Sequence, residues 1–426
     1  MPQLLLKNCQ IVDPAAKKEY FSDILIIENK IRTIARDLQP GPDTKVIDLQ
    51  GKIVAPGFID IHVHLREPGD EDKETIATGT MAAARGGFTS VVAMPNTKPA
   101  IDNEAAVEYI KCKALSDGII EVLPCAAITK GRKGEEISEY GILKKAGAVA
   151  LSDDGDPVAN PEVMRRAMEY SLLVNLPIIS HCEDKNLAGG GAMHEGYYST
   201  ILGLKGIPCL AEDVQVARDI ALAEYTGAKL HIAHISTAGS VELVRTAKKK
   251  GIRVTAEAAP HHFALTDAEV VGYNTNTKVN PPLRSEEHVK AIIEAILDGT
   301  IDAIASDHAP HTVENKNVEY DYASFGISGI ETSVAAALDV LYHQKKMPLI
   351  DLISRYTTGP ASVLGLDYQG LEPGRTANLT ILDLEQIKRV DVNSFASKGK
   401  NNPFHGREFK GWPVMTIYQG KVVVGN

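Results

Sequence analysis

The chain has 426 residues, of which 44% are hydrophobic and 5% aromatic, and this length predicts one large domain together with a smaller one. Its 45 basic and 55 acidic residues give a formal net charge of −10, which argues against nucleic acid or an anionic membrane as the main partner. The sequence shows neither a long apolar run nor a basic leader followed by an apolar region, so we expect no membrane span and no signal peptide. Five scattered cysteines without a CxxC motif predict buried thiols in the reducing cytoplasm.

Both ends of the chain are rich in Ile, Leu and Val and are broken by turn residues, a pattern typical of short β-strands. Residues 1–55 contain QLLLKNCQIV, DILIIENKIRTIA and KVIDLQGKIVAPG, and residues 366–426 contain ANLTILDL and PVMTIYQGKVVVGN. We therefore predict that these two ranges together form a small β-sandwich domain.

Residues 56–365 alternate between candidate strands and candidate helices. The strands are FIDIHVH, TSVVAMPN, IEVLPCAAI, AVALSDD, LPIISHCE, KLHIAHIS, RVTAEAAP and IDAIASDHAP. One helix between them has a clear start signal, because Asn160 can cap it with Pro161 at its first position. Eight strands alternating with helices predict an α/β fold, a (β/α)8 TIM-like barrel over 56–365, with an open doubly wound sheet as the alternative.

Polar residues stand at the ends of these strands, where a barrel places its catalytic groups. They are His62 and His64 after the first strand, Asp153 and Asp154 after the fourth, His181 after the fifth, His234 after the sixth and Asp307 after the eighth. Because the carboxyl ends of parallel strands meet at one mouth, we expect these side chains to converge there.

His62, His64 and Arg66 alternate along one strand and so share one face, which in a barrel is the lumen. Imidazole nitrogen and carboxylate oxygen suit zinc, and the whole set is too large for one tetrahedral ion. It suits two ions about 3.5–4 Å apart with a bridging carboxylate. A single His-x-His or Asp-Asp pair usually has only a structural role, so the prediction depends on their convergence.

Three further residues near these strand ends have weaker claims to a chemical role. His261 and His262 end the seventh strand, where they could lie around the metal ligands or serve the structure alone. Cys182 follows His181, so it should face the helices and belong to the core.

Four stretches of the chain resemble the dihydroorotases of the amidohydrolase superfamily. DIHVHLREPG and ASDHAPHTVENK resemble the two signatures of that family, and MPNTKPAID and NPPLR are also similar to it. The resemblance covers the whole chain, and the two signatures together are highly specific. Many superfamily members bridge two metal ions with a carboxylated lysine after the fourth strand, but GAVALSDDG contains no lysine. In this the chain resembles the bacterial class I dihydroorotases, in which an aspartate takes that place.

The resemblance implies a role for each matching residue. His62, His64 and Asp307 would bind one Zn²⁺ and His181 and His234 a second, with Asp154 as the bridge and Asp153 as the alternative. Substrate contacts would come from His64, Arg66, Asn96, Asn280, His311, Phe325 and Gly326. Among these, Arg66 and Asn96 resemble the residues that hold the substrate carboxylate, and a guanidinium offers a planar fork for that group.

The implied activity is the zinc-dependent, reversible interconversion of N-carbamoyl-L-aspartate and L-dihydroorotate in pyrimidine biosynthesis, with Asp307 as catalytic acid and base. An allantoinase or hydantoinase would share the barrel and the zinc ligands, but a hydantoin has no comparable carboxylate for Arg66 and Asn96. A catalytically silent scaffold for aspartate transcarbamoylase could have lost ligands, and all the expected ones are present. The resemblance also implies a homo-oligomer and possible association with aspartate transcarbamoylase.

Overall fold

The computed structural model describes residues 3–368 and 370–425. Residues 1, 2, 369 and 426, which belong to the predicted terminal domain, lie outside the described residues. The described part of the chain opens with strands β1 (Gln3–Asp13), β2 (Lys18–Ile27), β3 (Lys30–Ala35), β4 (Thr44–Asp48) and β5 (Ile53–Pro56). β1 pairs antiparallel with β2 and parallel with β4 and β5, so it lies inside this unit.

A nearly closed parallel barrel follows. Its part of the chain contains β6 (Phe58–Val63), β7 (Phe88–Ala93), β8 (Glu121–Ala126), β9 (Ala150–Ser152), β10 (Ile178–Ser180), β11 (Met193–His194), β12 (Gly206–Ile207), β13 (Leu230–Ile232), β14 (Val254–Ala258) and β15 (Ala303–Ile304). β11 and β12 pair only with each other, and the others form one eight-stranded sheet in chain order. A bridge between Val63 and His308 joins the two edges of this sheet. This confirms the predicted barrel over the open-sheet alternative.

The helices alternate with the barrel strands and pack against them and against one another. They are α1 (Ile76–Arg85), α2 (Glu104–Asp117), α3 (Tyr140–Ala146), α4 (Pro161–Val174), α5 (Lys185–Ala188), α6 (Tyr197–Leu202), α7 (Leu210–Thr226), α8 (Ala238–Lys249), α9 (Pro260–Ala264), α10 (Glu286–Leu297), α11 (Val313–Lys316), α12 (Ile330–Ala337), α13 (Leu349–Ser354) and α14 (Thr358–Leu364). A π-helical segment, Leu338–Gln344, continues α12, and single 3₁₀ turns occur at Lys130–Arg132, Asp267–Val270, Thr275–Thr277 and Val392–Ser394.

The long helices begin where local chemistry predicts. Asn160 Oδ1 accepts a hydrogen bond from Glu162 N at 2.9 Å and Pro161 is the first residue of α4, which confirms the predicted cap. Seven further helices, α5, α6, α9 and α11–α14, have only four to eight α-helical residues each. Helices this short do not show the periodic apolar pattern on which the prediction depends.

The chain then returns to the terminal unit through β16 (Leu379–Arg389), β17 (Glu408–Tyr418) and β18 (Lys421–Val424). β16 pairs with β5 and β17, and β17 pairs with β18, so strands from both ends of the chain form one eight-stranded sheet. This sheet has an apolar cluster of its own, in which Leu6 and Ile11 pack with Ile381 and Ile417. The predicted joining of the two chain ends is confirmed, while the boundaries at 55/56 and 365/366 stay predictions.

The cysteines and the helices bear on two further expectations. All five cysteines are free; Cys9, Cys125 and Cys182 are buried, whereas Cys112 on α2 is exposed, so the expectation of buried thiols is wrong for that residue. Among the described residues, none of the helices has the length and apolar character needed to cross a bilayer.

Candidate active site

The polar residues predicted at the strand ends converge at the carboxyl-terminal mouth of the barrel. All of them are buried, and their potential ligand atoms form two groups, each lying within 4.8 Å. The first group is His62, His64 and Asp154, and the second is Asp154, His181 and His234. Asp154 belongs to both groups, so it stands between the two pairs of histidines.

The Asp154 carboxylate lies at contact distance from all four rings. Its Oδ1 is 3.2 Å from His62 Nε2, 3.5 Å from His234 Nε2 and 3.6 Å from His181 Nδ1. Its Oδ2 is 3.4 Å from His64 Nε2. Two atoms that bind one tetrahedral zinc at about 2.0–2.1 Å lie about 3.3 Å from each other, so these spacings suit ligands of shared ions.

The neighbouring carboxylate, Asp153, has a different environment. Its Oδ1 accepts a hydrogen bond from Thr129 N at 3.1 Å, and its Oδ2 accepts one from Thr129 Oγ1. Arg132 Nη2 donates to the backbone oxygen of Asp154 at 2.7 Å and so holds this turn in place. Of the two aspartates, Asp154 is therefore the one whose side chain faces the histidines.

Asp307 follows β15 and lies beside the first histidine pair. Its Oδ1 is 3.2 Å from His64 Nε2 and 3.7 Å from His62 Nε2. Its backbone has a φ of +47°, a left-handed conformation that non-glycine residues rarely adopt. His64 N donates to His308 O at 2.9 Å, so the strand end that carries Asp307 is bonded directly to the strand end that carries the histidines.

The orientation of the His62 and His64 rings, at the end of β6, suits a bound cation. His62 Nδ1 donates to Glu257 Oε1 at 2.6 Å, and His64 Nδ1 donates to Asn96 Oδ1 at 2.8 Å. Both rings therefore turn the lone pair of Nε2 toward the mouth. His62 Nε2 and Asp154 Oδ1 are buried there without a hydrogen-bond partner. Buried unpartnered acceptors are costly, and a metal ion would satisfy them.

Charge in the mouth favours the same conclusion. Burial raises the pKa of the Asp154 carboxyl, but His62, His181 and His234 lower it more, and it lies well below its usual range. Burial lowers the pKa of His62, but the carboxylates of Asp154 and Glu257 raise it well above its ordinary value, so they favour positive charge at Nε2, carried by a proton or by a metal ion that takes the place of that proton. The mouth thus holds charged carboxylates away from solvent, where positive charge is strongly attracted.

A second set of predicted residues forms one side of the mouth. Arg66 Nη2 lies 3.4 Å from His311 Nε2, and Arg66 Nε donates to Pro310 O at 3.3 Å. His311 Nε2 donates to Phe325 O at 2.8 Å. Burial, with the charge of Arg66, lowers the pKa of His311 to about 3, so the ring is neutral.

All the predicted ligands and substrate contacts except His62 border one cavity of about 240 Å³. Its lining includes His64, Arg66, Asn96, Asp154, His181, His234, Asn280, Asp307, His311, Phe325 and Gly326. Asn280 Nδ2 donates to Glu183 Oε1 at 3.1 Å. Gly326 has a φ of +141°, and a Cβ there would lie 3.0 Å from His311 Nε2, so a side chain would crowd the cavity.

The structure adds contacts that the motifs do not contain. Glu257 on β14 bonds His62 and, through Oε2, lies 3.1 Å from His231 Nε2. A single acidic residue inside the apolar strand RVTAEAAP is the sequence signal that could have indicated it. His262 Nε2 donates to Pro281 O at 2.9 Å, and the His261 ring packs on it at 4.3 Å, which favours the structural alternative for this pair.

Two family models together match most of the chain. Residues 51–240 match a family model described as dihydro-orotase-like, and residues 213–424 match one described as amidohydrolase family. The dihydroorotases of Pelotomaculum thermopropionicum and Endomicrobium trichonymphae are 55% and 52% identical to this chain over 99% of its length, and cover 98% and 99% of their own. That of Acetivibrio thermocellus is 50% identical, over 99% of both chains.

Solved structures share the fold at lower identity. The L-hydantoinase of Arthrobacter aurescens is 26% identical with a TM-score of 0.90, and the match covers 100% of this chain and 96% of that one. A dihydropyrimidinase of Brevibacillus agri is 22% identical with a TM-score of 0.87, over 100% and 95% of the two chains, and shows the fold alone. The likeness in sequence to dihydroorotases is twice as high as that to the hydantoinase, along the full length. The chain belongs to the dihydroorotase family of the amidohydrolases.

Proposed function

We propose that the protein is a dihydroorotase that interconverts N-carbamoyl-L-aspartate and L-dihydroorotate in pyrimidine biosynthesis. One observation carries the proposal. A single cavity of about 240 Å³ brings Arg66 and His311 next to His64, His181, His234 and Asp154, with His62 buried directly behind Asp154. It thus combines a site for a carboxylate with a site for metal ions, and full-length relatives at 50–55% identity have the same activity in their names.

Two zinc ions are the cofactor that the donor set fits best. His62, His64 and Asp307 would hold one ion, His181 and His234 the other, and Asp154 would bridge them. When bound, zinc supplies a Lewis acid for the amide carbonyl and lowers the pKa of a water molecule to about 7. Imidazole and carboxylate together, without thiolate, are typical of such a catalytic centre.

The chain's own residues would hold the substrate at both ends. Arg66, Asn96 and His311 would bind the carboxylate, with the Arg66 guanidinium as the bidentate partner. His64 would contact the substrate from the metal side. Asn280 and the backbone at Phe325 and Gly326 would bind the ring. Neutral His311 can donate or accept a hydrogen bond without repelling Arg66.

Asp307 would move the proton. In hydrolysis its carboxylate takes a proton from the attacking water and delivers it to the ring nitrogen that leaves. In cyclisation the ureido nitrogen attacks the carbon of the protonated side-chain carboxyl group and a C–O bond breaks; Asp307 takes the proton from that nitrogen and gives it to the leaving oxygen, which departs as water. Its Oδ1 lies 3.2 Å from His64 Nε2, beside the part of the cavity where the attacking water and the substrate would meet.

Wider roles are proposed from the family resemblance. We infer a cytoplasmic homo-oligomer that acts on a small molecule and can associate with aspartate transcarbamoylase. Every expected ligand residue is present, which disfavours a catalytically silent scaffold. The hydantoinase alternative is disfavoured because a hydantoin leaves Arg66 and Asn96 without a carboxylate.

Arg66→Lys tests the substrate assignment. Lysine keeps the charge but loses the planar fork, so we expect KM for dihydroorotate to rise by about tenfold or more with zinc content unchanged. Steady-state kinetics on dihydroorotate, with hydantoin and allantoin as alternative substrates, and metal analysis of the same preparations measure this. Arg355→Lys is the matched control and should behave as wild type, because Arg355 ends α13 and its Nη2 donates to Ile296 O at 3.2 Å, away from the cavity. An unchanged KM in Arg66→Lys would remove Arg66 from the carboxylate site and reopen the hydantoinase alternative.

A further inference from the structure

A segment of the C-terminal region reaches the mouth of the barrel. Residues 395–402 lie between the 3₁₀ turn at Val392–Ser394 and β17 of the terminal sheet. Ser397, Asn401 and Asn402 are buried, with Asn401 only 3% exposed. None of the motifs discussed above includes this segment.

The Asn401 side chain makes three hydrogen bonds to two loops, and both of its N–H donors are used. Its Oδ1 accepts from His311 N at 3.0 Å. Its Nδ2 donates to Ala309 O at 3.1 Å and to Gly326 O at 2.9 Å. Its backbone oxygen also accepts from Ser328 N at 2.9 Å. One amide therefore ties the loop after β15 to the loop at 325–328.

These two loops carry both halves of the proposed substrate site. The first presents His311 beside Arg66, and the second presents the backbone of Phe325 and Gly326. The space between them is narrow, since His311 Nε2 lies 2.8 Å from Phe325 O. A small change in their separation would therefore move the carboxylate-binding and ring-binding groups relative to each other.

The segment is packed tightly enough to transmit this constraint. A Cβ added at Gly399 would lie 2.5 Å from Pro310 Cβ and 2.9 Å from Asn401 Oδ1. Contacts this short leave no room for the segment to shift toward the loop after β15. Asn402, by contrast, bonds the chain beyond the substrate contacts, where it enters α12: its Nδ2 donates to Ser328 O and Thr332 Oγ1, both at 3.0 Å.

We propose that Asn401 is a positioning residue for the substrate, which, together with the backbone hydrogen bond from Ala309 N to Ile327 O at 2.8 Å, sets the separation between the loop that carries His311 and the loop that carries Gly326. The proposal rests on the substrate contacts proposed above. Asn401 itself touches backbone atoms of the loops and no substrate group. It would act on the binding of a ligand that spans both loops and leave metal binding unaffected.

Asn401→Asp tests this with little change in shape. The acceptor for His311 N remains, but the two N–H donors are replaced by an oxygen that faces the carbonyl oxygens of Ala309 and Gly326. We expect KM for dihydroorotate to rise by about tenfold or more, while kcat stays within about threefold and zinc content is unchanged. Asn401→Ser, whose hydroxyl reaches fewer partners, should show a smaller rise and serves if the aspartate variant does not fold.

Asn402→Asp is the matched control, a buried asparagine of the same segment that does not touch His311 or Gly326. It should lower Tm and leave KM within twofold of wild type. Equal rises of KM in both variants would assign the effect to general loosening and overturn the proposal, as would an unchanged KM in a folded, zinc-loaded Asn401 variant. Arg66→Lys, assayed in parallel, distinguishes an error in the proposed substrate site from an error in the proposed role of Asn401. If its KM is unchanged, the substrate site itself is wrong; if its KM rises while that of Asn401→Asp does not, only the role of Asn401 is wrong.

Discussion

At the scale of single residues, Asp307 combines two roles that a substitution can separate. It lies 3.2 Å and 3.7 Å from the Nε2 atoms of His64 and His62, so it can bind metal, and it also faces the cavity in which proton transfer would occur. Asparagine is nearly isosteric and still offers an oxygen to a metal ion. It cannot accept a proton at neutral pH.

We therefore expect Asp307→Asn to retain most of its zinc and to lose roughly 10²–10⁴ in kcat in both reaction directions, since one group serves both. Zinc content and kcat should be measured on the same preparation, with and without added zinc. A fully loaded variant with kcat within a few-fold of wild type would contradict the proton-transfer role. Recovery of kcat on addition of zinc would show that Asp307 serves only as a metal ligand.

At the scale of elements, β14, which only β15 separates from β6, supports the histidines at the end of β6. Glu257 is fully buried and its Oε1 lies 2.6 Å from His62 Nδ1, while its Oε2 lies 3.1 Å from His231 Nε2. Burial raises the pKa of Glu257, but His62 and His231 lower it to about 2. A charged carboxylate behind a histidine fixes the tautomer of the ring and strengthens it as a ligand.

Glu257→Gln should accordingly weaken zinc binding by roughly 10–100-fold, because an amide holds the ring less strongly than a carboxylate does. Competition with a chelator of known affinity measures this directly on the folded protein. The matched control is Glu331→Gln, which changes a buried glutamate on α12 that contacts none of the metal ligands. Equal zinc affinities in the two variants would show that Glu257 does not support the metal site.

At the scale of the whole molecule, a buried carboxyl group lies where the barrel meets the C-terminal segment. Burial raises the pKa of Glu331 from 4.5 to about 7, although a hydrogen bond from Ser397 N at 3.2 Å acts to lower it. The folded protein therefore keeps this proton to a higher pH than the unfolded chain does. Its contribution to stability is complete below pH 4.5 and is lost as the pH rises through 7.

Glu331→Gln removes this dependence, because glutamine stays neutral and keeps an acceptor for Ser397 N. Relative to the variant, the wild type should lose about 2 kcal/mol of unfolding free energy between pH 5 and pH 8. Urea titrations of both proteins at the two pH values give the difference. A constant difference across this range would show that Glu331 does not titrate on unfolding in the way we expect.

The barrel and most of its site could be predicted because their signals are local. Alternating strands and helices indicate the architecture, and parallel strands bring their carboxyl ends to one mouth wherever they stand in the chain. His62, His64, His181, His234, Asp154 and Asp307 are therefore found together, as the positions of the strand ends require. Arg66 also lines the cavity, but β6 ends at Val63 and Arg66 has a φ of +61°, so the turn after the strand sets its direction and the predicted strand alternation does not extend to it.

Other features were decided only by the tertiary structure. The turn of the chain after β9 decides whether Asp153 or Asp154 faces the histidines. Asp153 is held away from them by hydrogen bonds to Thr129, which lies 24 residues earlier in the chain. Glu257 meets His62 across 195 residues of chain, and Asn401 meets His311 across 90. Such contacts arise from packing between distant elements, and neither hydrophobic periodicity nor motif spacing contains information about them, because both describe only neighbours along the chain.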